Sequence, residues 1–115
     1  MDRRQTGAQA ENSAAAFLES QGFRIVARNF LRRIGELDVV AQQGELLVIA
    51  EVRTRADERF GGAAASVTRD KQRRVAATAS LFLAQHPELR RCRVRFDVIV
   101  VRDGRIEWLK HAFDA

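Results

Sequence analysis

The stretch from Gly35 to Arg53 constrains this chain more than any other. It reads Gly-Glu-Leu-Asp-Val-Val-Ala, then Gln-Gln-Gly-Glu, then Leu-Leu-Val-Ile-Ala-Glu-Val-Arg. Two apolar runs around a polar, glycine-containing turn predict a β-hairpin. Leu46 to Ala50 has no polar break, as expected of a strand covered on both faces. Such a strand needs a sheet with something packed on each side. An acid within it, such as Glu51, is costly unless it is paired or holds a metal.

Parity turns the pattern into a geometry. With the turn centred on Gln43-Gly44, Glu36 falls opposite Glu51, and Asp38 falls opposite Ile49, diagonal to Glu51. Side chains alternate with period two, so Glu36, Asp38, Glu51 and Arg53 are expected on one face. A slip of one residue would separate the acids. Carboxylates held this close repel, which invites a divalent cation or shifted pKa values. Oxygen donors of this kind suit Mg²⁺ or Mn²⁺. Charged residues at strand ends are also commonly no more than solvated, and that reading applies to Glu36 or Arg53 taken singly.

The rest of the chain supplies the coverage. Thr6-Gly7-Ala8-Gln9 has capping-box spacing, so a helix is expected from Thr6 to about Ser20, ended by Gly22. Its apolar stripe is Ala10, Ala14, Phe17, Leu18 and Gln21, with Glu11 at the edge. Phe23 to Asn29 alternates as a first strand. After the hairpin, Thr54 to Gly62 is polar, charged and glycine-ended, and reads as a mobile loop, either a lid or plain disorder. Thr68 caps a second helix, Arg69 to Gln85, whose stripe is Val75, Ala79, Phe82 and Leu83; His86-Pro87 ends it. Arg93 to Arg102 and Arg105 to Lys110 form two strands around an Asp103-Gly104 turn. Asp97, inside an apolar run, requires a partner, for which arginine is the expected residue.

The order αβββαββ makes this an α/β protein, a mixed sheet flanked by helices. The 115 residues form one domain, 1–115, with no repeat or linker. No apolar run approaches the roughly 20 residues of a membrane span, and Met1 to Thr6, basic with no apolar stretch behind, is not expected to be a secretory signal. A single cysteine, Cys92, excludes a disulfide framework and a Cys-based zinc site. Cytoplasmic location is the expectation. The net charge of +5 favours a polyanionic partner, although solubility alone also accounts for such a charge.

Asp38, a hairpin, and then Glu51-x-basic resembles the core motif of the PD-(D/E)xK nuclease superfamily. The wider text is closer to one family. Asn29, Gly35-Glu36-Leu37-Asp38, Glu51-Val52-Arg53-Thr54-Arg55, Phe60-Gly61, Lys71-Gln72 and Arg95-Phe96-Asp97 together resemble the YraN-like family. These are small bacterial proteins similar to archaeal Holliday-junction resolvases.

The resemblance implies a restriction-endonuclease-like topology and metal-dependent hydrolysis of DNA, with branched DNA as substrate. It implies Asp38, Glu51, Glu11 and the Val52 carbonyl as ligands of Mg²⁺ or Mn²⁺. Arg53 would then face the phosphate, and a homodimer is implied because related resolvases act as dimers. Arg32, Arg33, Arg55, Lys71 and Arg74 are the candidate phosphate contacts. The chain departs from the superfamily at Arg53, where the pattern has lysine. Arginine stays protonated and cannot act as a base. Lys71, at the start of the second helix, is a candidate substitute. Three readings stay open: a nuclease, a non-catalytic nucleic-acid-binding protein on the same fold, and a partner-binding protein whose acids only form salt bridges.

Overall fold

The computed structural model describes residues 3–54 and 67–114. Its elements are α1 (Arg3–Ser20), β1 (Arg24–Arg32), β2 (Gly35–Gln43), β3 (Leu46–Thr54), α2 (Arg69–Ala84), a 3-10 turn (Pro87–Leu89), β4 (Arg93–Arg102) and β5 (Arg105–Phe113). The sheet order is β1-β2-β3-β4-β5. β3 and β4 are parallel and every other pair is antiparallel. A parallel pair needs a crossover, and α2 lies in it. The result is the α/β architecture and αβββαββ order that the sequence predicts.

β3 lies at the centre of the sheet and is buried from Leu47 to Val52. Its even side, Val48, Ala50 and Val52, packs in a core with Ala10, Ala14 and Leu18 of α1. Its odd side, Leu47 and Ile49, packs with Val75, Ala79 and Phe82 of α2. The helices therefore cover opposite faces of the sheet.

Two local expectations need correction. α1 begins at Arg3, so Thr6 lies within the helix and is not its N-cap; the helix-tolerant residues before Thr6 extend it. The stop is as expected. Gly22 takes φ +91, and the Phe23 N–H reaches the Leu18 carbonyl at 3.0 Å, a glycine-terminated helix end. The β2–β3 turn centres on Gly44-Glu45, because Gln43 pairs with Leu46 and Val39 with Ala50. The register is thus displaced from the expected one by an even number. Continued by one residue, it sets Asp38 across from Glu51, and Glu36 comes to the level of Arg53.

α2 is capped as the sequence predicts, with Thr68 Oγ1 accepting from Lys71 N at 3.2 Å. Asp97 has the arginine expected of it. Arg95 donates to both of its oxygens at 2.9 Å, Trp108 Nε1 donates at 2.8 Å and the His111 N–H at 2.9 Å. The β4–β5 register shifts between Phe96 and Val98, so Asp97 takes a backbone amide at the irregularity. Trp108 in turn meets Phe17 and Phe23 edge-on, with centroids 5.4 and 5.9 Å away. One buried acid thereby fixes the last strand and the aromatic seat of α1.

Gly35 sets how closely α2 approaches the start of β2. A Cβ there would lie 2.7 Å from Thr78 Oγ1 and 3.2 Å from the Arg74 carbonyl oxygen. Thr78 Oγ1 is itself bonded to that carbonyl at 2.7 Å, so it cannot swing away freely. Gly35→Ala should destabilise the fold by about 1–3 kcal/mol through overpacking. Urea unfolding should show a lower midpoint at unchanged slope. An unchanged midpoint would mean that α2 can back away without loss.

Candidate functional site

The acids meet where the β2–β3 ladder ends. Its last pair is Val39 with Ala50; beyond it, the Asp38 carboxylate takes the Val52 N–H at 2.9 Å through Oδ2. A side chain stands where a strand carbonyl would otherwise bond. The alternation of β2 also changes here. Leu37 and Val40 both join the α2-side core, while Val39 and Ala41 join the α1-side core. The single face expected for Glu36, Asp38, Glu51 and Arg53 is therefore replaced by a meeting of both faces at the strand ends.

Asp38 and Glu36 gather with Glu11 of α1. One carboxylate oxygen from each lies within 4.8 Å of the others. Two oxygens on one Mg²⁺, at about 2.0–2.1 Å each, are at most about 4.2 Å apart, so a shared ion of that size draws the three acids together from a spacing already close to what it needs. Glu51 is fully buried, and among the described residues neither of its oxygens has a hydrogen bond of good geometry, the Asp38 backbone N–H making only a weak approach. Lys71 of α2 pairs with Glu51, Nζ at 3.7 Å from Oε1, an ion pair too long for a good hydrogen bond. A buried carboxylate left this way is costly, and a cation arriving beside it would relieve that cost.

Burial, then the Asp38 charge, pushes the Glu51 carboxyl up from its ordinary 4.5 to about 7, against the lowering influence of Lys71, Arg53 and, last, the Asp38 backbone N–H. Glu11 and Glu36 are raised too. Burial is the largest cause for each, followed by the Asp38 charge. Lys71 lowers both Glu36 and Glu51, so its ammonium lies within electrostatic reach of each. All four acids are thus set against one another in a partly dry site.

Asn29 organises this cluster, a role not read from the sequence. Its backbone is left-handed, φ +52. Its amide nitrogen lies 2.9 Å from Glu11 Oε1 and 3.2 Å from Glu36 Oε1, in the orientation that its acceptor neighbours require. The preceding residue, Arg28, donates to Asn12 Oδ1 at 2.7 Å. Two consecutive residues of β1 therefore grip two consecutive residues of α1. A regular strand would send them to opposite faces, and the left-handed turn at Asn29 removes that restriction. Asparagine tolerates this conformation better than other non-glycine residues. An asparagine ending an alternating strand was the available signal.

The basic candidates divide. Arg33, Arg74, Lys71 and Arg32 line a groove of about 300 Å³ together with Glu36 and Asp38. Arg32 is also engaged with its own fold, donating to the Leu31 carbonyl and to Gln85. Arg53 lies at the end of β3, close enough to lower the Glu51 pKa. Arg55 and the expected lid, from Arg55 on, lie outside the described residues. Val52 gives its N–H to Asp38.

Glu51 also carries a pH dependence. Its folded pKa is raised, so between about 4.5 and 7 the folded state holds a proton that the unfolded chain has released. Its contribution therefore falls as pH rises through this window and stays unfavourable above it. In EDTA, the stability of Glu51→Gln relative to wild type should improve by about 2–4 kcal/mol between pH 4 and pH 8. A difference that does not change with pH would show that Glu51 ionises normally.

The comparisons with known proteins carry no activity. The model of "Uncharacterised protein family UPF0102" matches residues 10–101. A UPF0102 protein of Cupriavidus necator is 49% identical over 94% of this chain and 82% of its own length. Those of Saccharophagus degradans and Dechloromonas aromatica are 45% and 44% identical, each over 95% of this chain and 92% and 88% of their own lengths. The matched span runs from α1 to the end of β4 and contains every acid of the cluster. This chain belongs to the uncharacterised protein family UPF0102, the YraN-like family that its motifs resemble.

Proposed function

We propose that this protein is a divalent-metal-dependent DNA endonuclease acting on branched DNA. The observation that carries the reading is the buried Glu51 carboxylate, without a well-formed hydrogen bond among the described residues, close to Asp38 of the converging Glu11, Glu36 and Asp38, next to a groove lined by arginines. A merely structural acid would have partners, as Asp97 has. Asp38, Glu11 and Glu36 are the carboxylates that converge on one point; Glu51, the ligand the motif adds, adjoins Asp38, and the Val52 carbonyl is the remaining candidate. Mg²⁺ or Mn²⁺ at this site would supply Lewis acidity for a water nucleophile and positive charge for the phosphate.

The chain's own groups do the rest. Arg33 and Arg74 present positive charge along the groove and bind the DNA backbone. Arg53 supplies a guanidinium charge to the phosphate and no base for the water. Lys71 has the one amine paired to the buried acid; it can orient water or stabilise a leaving group there. Asn29 holds Glu11 and Glu36 in place from β1. The superfamily resemblance supports the same assignment.

A second reading, binding without cleavage, is favoured by Arg53 in the lysine position. The two are separated by cleavage of labelled four-way, flapped and duplex DNA with Mg²⁺, Mn²⁺ or Ca²⁺, with binding followed in parallel. Wild type should cut branched DNA in Mn²⁺. Asp38→Asn should lose cleavage by at least about 100-fold while still binding in Ca²⁺, and Arg53→Lys should cut at least as well as wild type. Binding should weaken as salt rises, and removal of Arg33 or Arg74 should flatten the slope by about one unit each. If wild type and Arg53→Lys bind but never cut, the second reading replaces the first. DNA binding indifferent to salt would end both.

Asn29 gives an independent check of the site. Asn29→Gly keeps the left-handed backbone available but removes the amide. It should unfold near the wild-type midpoint yet bind Mn²⁺ about 10-fold more weakly, as for the loss of a group that orients ligands. Titration by Mn²⁺ paramagnetic resonance reads this directly. Unchanged affinity would mean that the acids need no such support.

A further inference from the structure

Among the described residues, the large apolar side chains most exposed are Leu31, at 65%, and Ile34, at 45%; Leu81 follows at 36%. The first two bracket the Arg32-Arg33 pair at the tip of the β1–β2 hairpin. β1 is an edge strand, where exposed apolar residues invite aggregation and are usually replaced by charge. Neither is needed by the core. Phe30 turns inward and meets Phe82 edge-on at 5.1 Å, which leaves Leu31 to point away.

The tip is braced. The Arg32 guanidinium lies over the Phe30 ring, 3.9 Å from its centroid, and donates to Gln85 at the end of α2 at 3.3 Å. Leu31 and Ile34 line the same groove as Arg33, Arg74, Glu36 and Lys71. An occupant of this groove has to be apolar where it meets the tip and anionic where it meets Arg33 and Arg74. It also has to bring its charge up to the acids. An apolar protein surface meets the first demand and fails the second. A nucleotide with its base out of the stack meets both.

Resting on the nuclease reading, we infer that the β1–β2 tip is a wedge for DNA, with Leu31 and Ile34 receiving an unstacked base while Arg33 and Arg74 hold the adjoining phosphates. Apolar side chains inserted at base steps unstack and kink DNA, and the penalty is smallest where pairing is already interrupted. The wedge would therefore supply a preference for branch points beyond what the phosphate contacts give. It would also set a strand at the mouth of the acidic cluster.

The test uses the full chain in Ca²⁺, with four-way and flapped DNA carrying 2-aminopurine at the branch point and a duplex control. Wild type should raise the fluorescence of the branched DNA but not of the duplex. Leu31→Ser/Ile34→Ser changes only exposed residues. It should abolish the rise and weaken branched binding by about tenfold at an unchanged salt slope. Arg33→Ala/Arg74→Ala should flatten the slope and leave the fluorescence of saturated complexes intact. If wild type binds branched DNA with no fluorescence change, or the serine variant unstacks as well as wild type, the wedge is wrong and the nuclease reading stands. If wild type binds no DNA, both are wrong. If the serine substitutions instead turn a sedimenting dimer into a monomer and leave fluorescence unchanged, the tip is a contact between copies of the chain.

Discussion

The hydrogen bond from the Val52 N–H to Asp38 is of ordinary length, 2.9 Å, but the site depends on it. A strand amide must find an acceptor once it is buried. In a continued ladder a backbone carbonyl of β2 would serve, and the two strands would stay zipped. Here a side chain serves, so β2 and β3 can part without orphaning the amide. Glu36 and Asp38 then turn to meet α1, while Glu51 faces Lys71 of α2. The site exists because the sheet is allowed to end early between two strands that are otherwise well paired.

The contrast between Asp97 and Glu51 shows what distinguishes a structural acid from a candidate functional one. Both are fully buried, on adjacent strands. Asp97 receives donors from Arg95, Trp108 and His111 and holds the fold together. Among the described residues Glu51 has no well-formed hydrogen bond, only a weak approach of the Asp38 amide and the charges of Lys71, at 3.7 Å, and Arg53. Natural interiors seldom leave a carboxylate so. An unfavourable buried group persists when something other than stability requires it, and a perturbed pKa in a groove is the usual sign.

Much of this was legible in the sequence, for identifiable reasons. The unbroken run Leu46 to Ala50 announces a doubly covered strand, and it is the central one. Thr68 and Pro87 mark the two ends of α2 because capping and proline chemistry are local. The hairpin register differs from the expected one because Gln43-Gly44 and Gly44-Glu45 are both acceptable turn centres. The two lie an even displacement apart in register, which keeps the ladder's side-chain parity where an odd slip would reverse it. Thr6 misled because a capping box is only a preference, and the residues before it also suit a helix. What was illegible is where alternation fails. The left-handed Asn29 and the early end of the β2–β3 ladder depend on contacts with α1 and β3. No pattern within β1 or β2 encodes those contacts.

The arginine at position 53 takes on a different weight in this setting. On the nuclease reading, a lysine two residues after the buried acid would offer a titratable amine at the strand end, and Arg53 cannot. The chain nevertheless brings an amine to the same acid by another route. Gly35 lets α2 sit close to β2, and the Thr68 cap starts α2 where Lys71 falls in its first turn. The Lys71 ammonium thereby reaches Glu51 from the opposite element and lowers the pKa of Glu36 as well. A lysine on a helix is tied less tightly to the acid than one on the same strand, at 3.7 Å and about one-third exposed. It can move as a cation or phosphate arrives, whereas Arg53 supplies fixed charge. Dividing one residue's two duties, charge and mobility, between Arg53 and Lys71 makes the departure from the motif compatible with chemistry at Glu51.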